Sequence, residues 1–281
     1  VSGCSLGSLS ASSTTVYTAT CTASSDGTPS VSVAAEKFTD AVGNDNSVSN
    51  TYTWTYDSTA PTMTISSSTV SSGATTNTAA IALTFTSSES TTDFVAGDIT
   101  VSGCSLGSLS GSGATYTATC TASSDGTPSV SVAASKFNDG VGNDNTASNT
   151  YTWTYDSTAV TMTISSSAVS SGASTNTAGI ALTFTASEAT SDFASSDITV
   201  SGCSLGSTFA ATSSTVYTAT CTASSDGTAS VSVASGAFTD AGSNDNTVSN
   251  TYTWTYDGTA PTVAITSSQS APATGSTFAV T

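Results

Sequence analysis

The chain has 281 residues, roughly two in five of them Ser or Thr, and its 19 Asp and Glu face two Lys with no Arg and no His, for a formal charge of −17. Two cations on a polyanion cannot displace counterions from phosphates, which excludes nucleic acid, and without His there is no His-based triad, imidazole base or His-ligated zinc. No run of about 18 apolar residues occurs, so no membrane insertion is expected in this segment, and no signal peptide is expected at its head.

High charge with few aromatics would point to disorder, yet Val, Ile, Tyr, Phe and Trp recur at regular spacing, which predicts ordered β structure. VSGCSLGS begins at Val1, Val101 and Val200, and TYTWTYD at Thr51, Thr150 and Thr251. A period of about one hundred residues is that of a whole domain, not of a solenoid unit. In Thr51–Tyr56 the rings of Tyr52, Trp54 and Tyr56 share one face and three threonines the other, which predicts a strand with its ring face buried. The equivalents are Tyr151, Trp153, Tyr155 and Tyr252, Trp254, Tyr256; stacking on sugars is the rival use of such rings. Further along, Ile81, Leu83 and Phe85, then Tyr116, Ala118 and Cys120, then Val130 and Val132 read inward in the same way, and no helical period competes.

The junctions fall at Ser58–Pro61 (STAP), Ser157–Val160 (STAV) and Gly258–Pro261 (GTAP), each between two strand-like runs. This frame gives a partial domain at 1–60 holding C-terminal strands only, complete domains at 61–159 and 160–259, and the first strands of a further domain at 260–281. Short strands parted by Gly, Asn, Asp and Ser clusters predict an all-β fold of antiparallel β-sandwiches.

In fixed order the chain carries TAPTMTISS (Thr59–Ser67), IALTFT (Ile81–Thr86), Ser88-Glu89, GDITVSG (Gly97–Gly103), YTATCTASSDGTPSVSV (Tyr116–Val132) and DGVGNDNTASNTYTWTYDSTA (Asp139–Ala159). This series resembles tandem bacterial immunoglobulin-like repeats across essentially the whole chain. The resemblance implies Ig-like domains strung as an extended rod in a large secreted or surface-attached protein, a stalk, adhesin or fibre without catalysis. The Cys pair in each repeat departs from that pattern, standing where apolar residues are expected.

The pairs are Cys4 with Cys21, Cys104 with Cys120 and Cys203 with Cys221, 17, 16 and 18 residues apart. A pair kept together while its loop changes length predicts a cross-strand disulfide within each domain. Two sulfurs per domain cannot complete a Cys-only metal site, and buried free thiols would suit a reducing cytosol. Disulfides place the chain outside the cell or on its surface.

So many carboxylates with almost no cations are either solvated or held beside a bound cation. Calcium is the one cofactor considered. The loop with Asp40, Asn44 and Asp45 recurs with Asp139, Asn143 and Asp144 and with Asp240, Asn244 and Asp245, bringing oxygen ligands close together. A second set lies at the junctions, where Asp57, Asp156 and Asp257 end a repeat and Glu89 or Glu188 approaches from the next. The same Asn, Asp and Gly also build plain tight turns, and the spacing is not that of an EF-hand. A glycosidase pair of carboxylates would need one cleft in one domain, whereas these acids recur in every copy.

The expected function is a stalk or fibre, a surface adhesin or filament whose partners are neighbouring copies or repeats of itself. Strands in 260–281, including Thr262–Ile265 and Thr277–Val280, are suited to complete the partial domain 1–60 of the next copy, giving a head-to-tail polymer; excision from a longer chain explains the same ends. No Asn-x-Ser/Thr sequon occurs, which leaves O-linked glycans on Ser and Thr open. The alternative function is a multivalent carbohydrate- or surface-binding array.

Overall fold

The computed structural model describes residues 1–266; Thr277–Val280 lies outside them. Two compact units form, Val1–Ala74 with Thr78–Tyr155, and Thr75–Asn77 with the chain from Asp156 onward. The N-terminal stretch holds β1 (Cys4–Leu6), β2 (Ser10–Ala11), β3 (Tyr17–Thr18), β4 (Cys21–Ala23), β5 (Ser30–Val31) and β6 (Tyr52–Thr53), paired as β1 with β4, β2 with β3 and β5 with β6.

The rest of the first unit's strands are β7 (Met63–Ser66), β9 (Ala80–Thr91), β10 (Ile99–Ser102), β11 (Cys104–Leu106), β12 (Ser110–Ala122), β13 (Ser129–Val132), β14 (Tyr151–Thr152) and β15 (Thr154–Tyr155), while β8 (Thr75–Thr76) belongs to the second unit. One sheet runs β11-β12-β9-β7 and the other β10-β13-β14. The second unit continues with β16 (Met162–Ser165), β17 (Ser174–Thr175), β18 (Gly179–Ala186), β19 (Ile198–Ser201), β20 (Cys203–Leu205), β21 (Ala210–Ala211), β22 (Val216–Ala223), β23 (Gly227–Val233) and β24 (Tyr252–Tyr256). Its sheets run β16-β18-β22-β20 and β17-β24-β23-β19, with β17 parallel to β24. Chain order and pairing are those of an immunoglobulin-type sandwich, the A-B-E-D set facing C-F-G.

Alternation of period two builds the core. Along β9 the inward Ile81, Leu83 and Phe85 are buried, and opposite them lie Val130, Val132, Tyr151 and Trp153. Ile180, Leu182, Phe184, Val231, Val233, Tyr252 and Trp254 repeat the arrangement. Each such side chain contributes roughly 1.5–3 kcal/mol by leaving water. Tyr151, Trp153, Tyr252 and Trp254 are therefore buried, the third rings Tyr155 and Tyr256 are half-buried, and Tyr151 and Tyr252 donate their hydroxyls to the carbonyls of Val70 and Val169.

Within the ladder β11–β12, Cys104 stands opposite Ala122 and Leu106 opposite Cys120, so Cys104 and Cys120 meet diagonally across neighbouring strands of one sheet. All three predicted disulfides are present, with Cα separations of 5.7, 5.8 and 5.8 Å. Before Cys203 the chain turns through Gly202 at φ +69°, where a Cβ would lie 2.4 Å from the Thr228 carbonyl oxygen. Only glycine fits this position of the VSGC motif.

The N-terminal stretch has the same residues without the same burial. Tyr17, Phe38 and Tyr52 are 59%, 63% and 66% exposed, whereas their equivalents Tyr116, Phe137 and Tyr151 are buried. Among the described residues no strand covers this face as β7 and β9 cover that of the complete domain.

Candidate metal centre

In each complete domain three carboxylates converge. Asp57 directly follows the ring strand of the preceding repeat, Glu89 stands near the end of β9, and Asp139 opens the loop after the buried Phe137. One ligand oxygen from each lies within 4.8 Å of the others, and Asp156, Glu188 and Asp240 reproduce the group. Asp139 and Asp240 are buried and the other four half-buried.

The loop fixes Asp139 through its own donors. Its Oδ1 accepts the backbone N–H groups of Val141 (2.8 Å), Gly142 (2.7 Å) and Asn143 (3.0 Å), and its Oδ2 accepts the Asn143 amide at 2.7 Å. The Asn143 Nδ2 also donates to the Asp57 carbonyl oxygen at 3.1 Å, as Asn244 does to that of Asp156 at 2.9 Å. This Asn therefore ties the loop to the aspartate that opens the domain through its NH2 group. Asn149 fastens the strand that follows, accepting from Ile65 N–H at 2.8 Å and donating to Ile65 O at 2.9 Å.

The charges act in opposite directions within the group. Desolvation, reinforced by the negative charges of Asp57, Asp139 and Asp26, raises the Glu89 carboxyl above its ordinary value. Desolvation pushes Asp139 the same way, but the donated hydrogen bonds from Asn143, Val141 and Gly142 together outweigh it and hold Asp139 below the usual range. The difference is one of donors: Asp139 is surrounded by N–H groups, while Glu89 faces like charge.

An all-oxygen donor set suits a hard cation. Calcium takes oxygens at about 2.3–2.6 Å, so two oxygens on one ion stand no more than about 5 Å apart, and the three oxygens, all within 4.8 Å of one another, fall inside that limit. Asp57, Glu89 and Asp139, and Asp156, Glu188 and Asp240, are the residues that would hold it.

The two predicted sets thus merge into one group per complete domain, with a single aspartate from the acidic loop joining the junction Asp and Glu. Asn143 and Asn244 make stitches, and Asp144 and Asp245 are exposed outside the groups. In the first copy Asp40 accepts from Val42 and Asn44, and Asp40, Asn44 and Asp45 are all exposed in a plain turn. Asp257 is exposed as well. Sequence reading missed Asp26, which accepts from Ser58 N–H (2.9 Å), Ser58 Oγ (2.8 Å) and Thr59 Oγ1 (2.6 Å) and so clamps the STAP connector, with Asp226 doing the same at Gly258 and Thr259. The signal was there in the SSDG turn, repeated once per copy at Asp26, Asp125 and Asp226.

Fold and repetition define a tandem array of Ig-type domains. The family model described as bacterial Ig-like domain matches residues 57–155 and 156–256, and the chain belongs to that family. Each carboxylate group falls inside one matched span, with Asp57 or Asp156 as its first residue. Among solved structures, FdeC, an Escherichia coli adhesin, is similar at 15% identity and TM-score 0.40, covering 90% of this chain and 82% of that one. InvD of Yersinia pseudotuberculosis is similar at 17% identity and TM-score 0.37, covering 78% of this chain; the chain spans 65% of InvD. No curated protein matches the chain.

Proposed function

We propose that the chain is a stretch of a non-catalytic extracellular stalk or fibre, of the surface-adhesin or filament kind, in which Ig-like domains repeat as a rod that spaces or presents something else. The observation that carries this reading is repetition: both complete domains bear the same core, disulfide and carboxylate group at equivalent positions. The disulfides favour an oxidising exterior. Burial of Trp153, Tyr151, Trp254 and Tyr252 in the complete domains favours this reading over a sugar-binding array. In this reading calcium occupies the two carboxylate groups and stiffens the domains. Copies or repeats of the chain are its neighbours, joined head to tail by strand complementation between 260–281 and 1–60, and exposed Ser and Thr are open to O-linked glycans. Small-angle scattering of the 281-residue chain, with calcium and after chelation, tests it. An elongated profile that loosens on chelation is expected; a compact particle overturns the rod, and a profile indifferent to chelation overturns the role of calcium.

A further inference from the structure

We propose that the outward face of the first complete domain carries a binding groove for one neutral sugar residue, with Ala82, Thr84, Thr117 and Thr119 as its floor. The concavity has a volume of about 240 Å³. Its floor is the solvent side of β9 and β12, the two central strands of their sheet, where Ala82 stands opposite Thr119 and Thr84 opposite Thr117. Such pairs lie about 4.8 Å apart across the strands and about 6.8 Å from the next pair along them, a frame the size of one pyranose ring. Ser68, just beyond β7, forms one rim, and Ser108 with Ser110, where the chain turns from β11 into β12, forms the other.

The sequence builds the second rim locally. Gly111, at φ +125°, folds the chain back so tightly that a Cβ there would lie 2.3 Å from the Thr115 carbonyl oxygen, a place only glycine can take. In the second domain the Cys-to-Cys separation is 18 residues instead of 16, Ala210 pairs with Thr218, and Thr208 Oγ1 accepts the Thr220 N–H at 2.8 Å, so that rim is built differently. The groove is thus one docking point on the stalk and not a repeated array.

The lining selects the ligand. No charged residue lines the groove, and among the described residues the hydroxyls of Ser68, Ser108, Ser110, Thr117 and Thr119 form no hydrogen bond with another protein group. Each hydroxyl both donates and accepts, so its counterpart is a ligand that does the same, which the hydroxyls of a sugar do. The Ala82 and threonine methyls give the C–H side of the ring an apolar bed. With no cation in the groove and a charge of −17 on the chain, a carboxylated or phosphorylated sugar is repelled, which leaves a neutral one.

The test is an NMR titration of the 281-residue chain with cellotriose, mannotriose, β-1,4-galactotriose, trigalacturonic acid and a threonine peptide carrying one O-linked mannose. Saturable shifts at Ala82, Thr117 and Thr119 with at least one neutral ligand are expected. Thr117→Val with Thr119→Val keeps the shape of this exposed face and removes two hydroxyls, and is expected to weaken that binding at least about tenfold. Ala181→Leu, on the same face of the second domain, is expected to change it less than about twofold. A response to the glycopeptide alone assigns the sugar to a protein-borne glycan, and a response to a trisaccharide alone to a polysaccharide. Silence with every neutral ligand overturns the site, undiminished binding by the double Val variant overturns the groove as its place, and tighter binding of trigalacturonic acid overturns the neutral class.

Discussion

Ser243 adopts φ +69° where the first two copies carry Gly43 and Gly142, both also at positive φ. A side chain in that region is strained, so Ser243→Gly is expected to stabilise the second unit by about 0.5–1 kcal/mol in thermal unfolding, and Gly142→Ser to cost the first a similar amount. Glu89 gives a pH prediction. Its folded value is raised above 4.5, so its contribution is complete below that value and lost as pH rises through the raised one. Asp26, Asp40 and Asp226 are lowered from 3.8, by hydrogen bonds led by Thr59, Asn44 and Thr259, so theirs is present above that value and lost as pH falls through the lowered one. Denaturant titrations without calcium should therefore show a stability maximum near the ordinary carboxylate range, at about pH 4–5. Glu89→Gln should raise stability at pH 7 and flatten the loss above the maximum; an unchanged profile would remove the desolvation of Glu89 and its like-charged neighbours as the cause. Single residues were partly legible: Asp57, Glu89 and Asp139 were each readable as acids at fixed places in a repeat. The Asn143 stitch was not, because a ligand and a donor have the same sequence signature until the amide's neighbours are known.

At the level of elements the alternation of apolar and hydroxyl residues was enough to place β9, β12, β13 and the ring strand, because a buried face of period two has one solution. The Cys pairs were legible for a similar reason: their loops differ in length while the pairing stays. What spacing could not reveal is that Cys104 and Cys120 sit diagonally in adjacent strands of one sheet, since that depends on a register set by Leu106 opposite Cys120. Replacing both by Ala is expected to cost the first complete domain about 3 kcal/mol by loop entropy, measured as the fall in unfolding free energy in denaturant titration, with a steeper slope because the unfolded chain is no longer cross-linked. Cys120 is itself buried, so a small part of that loss is packing.

For the whole molecule the governing quantity is a charge of −17 with two lysines to offset it. Calcium is expected to raise the melting temperature of both units, and Glu89→Gln with Glu188→Gln to remove that rise, while sodium chloride at equal ionic strength gives only a small part of it; calorimetry in the three buffers decides. The repeat and the fold class were legible from two recurring motifs. The merging of the acidic loop with the junction acids was not, because it joins residues some fifty to eighty positions apart that only the closed sandwich brings together.

The disulfide also bears on what happens under tension. A domain of about one hundred residues pulled open by its ends yields about 330–360 Å of extended chain. The ring closed by Cys104 and Cys120 spans a separation of 16 residues, so about 50–60 Å of that length stays locked inside it. A tether built from these repeats would therefore stop short by roughly one sixth for each domain that gives way, and would lengthen further only where a reductant reaches the bond.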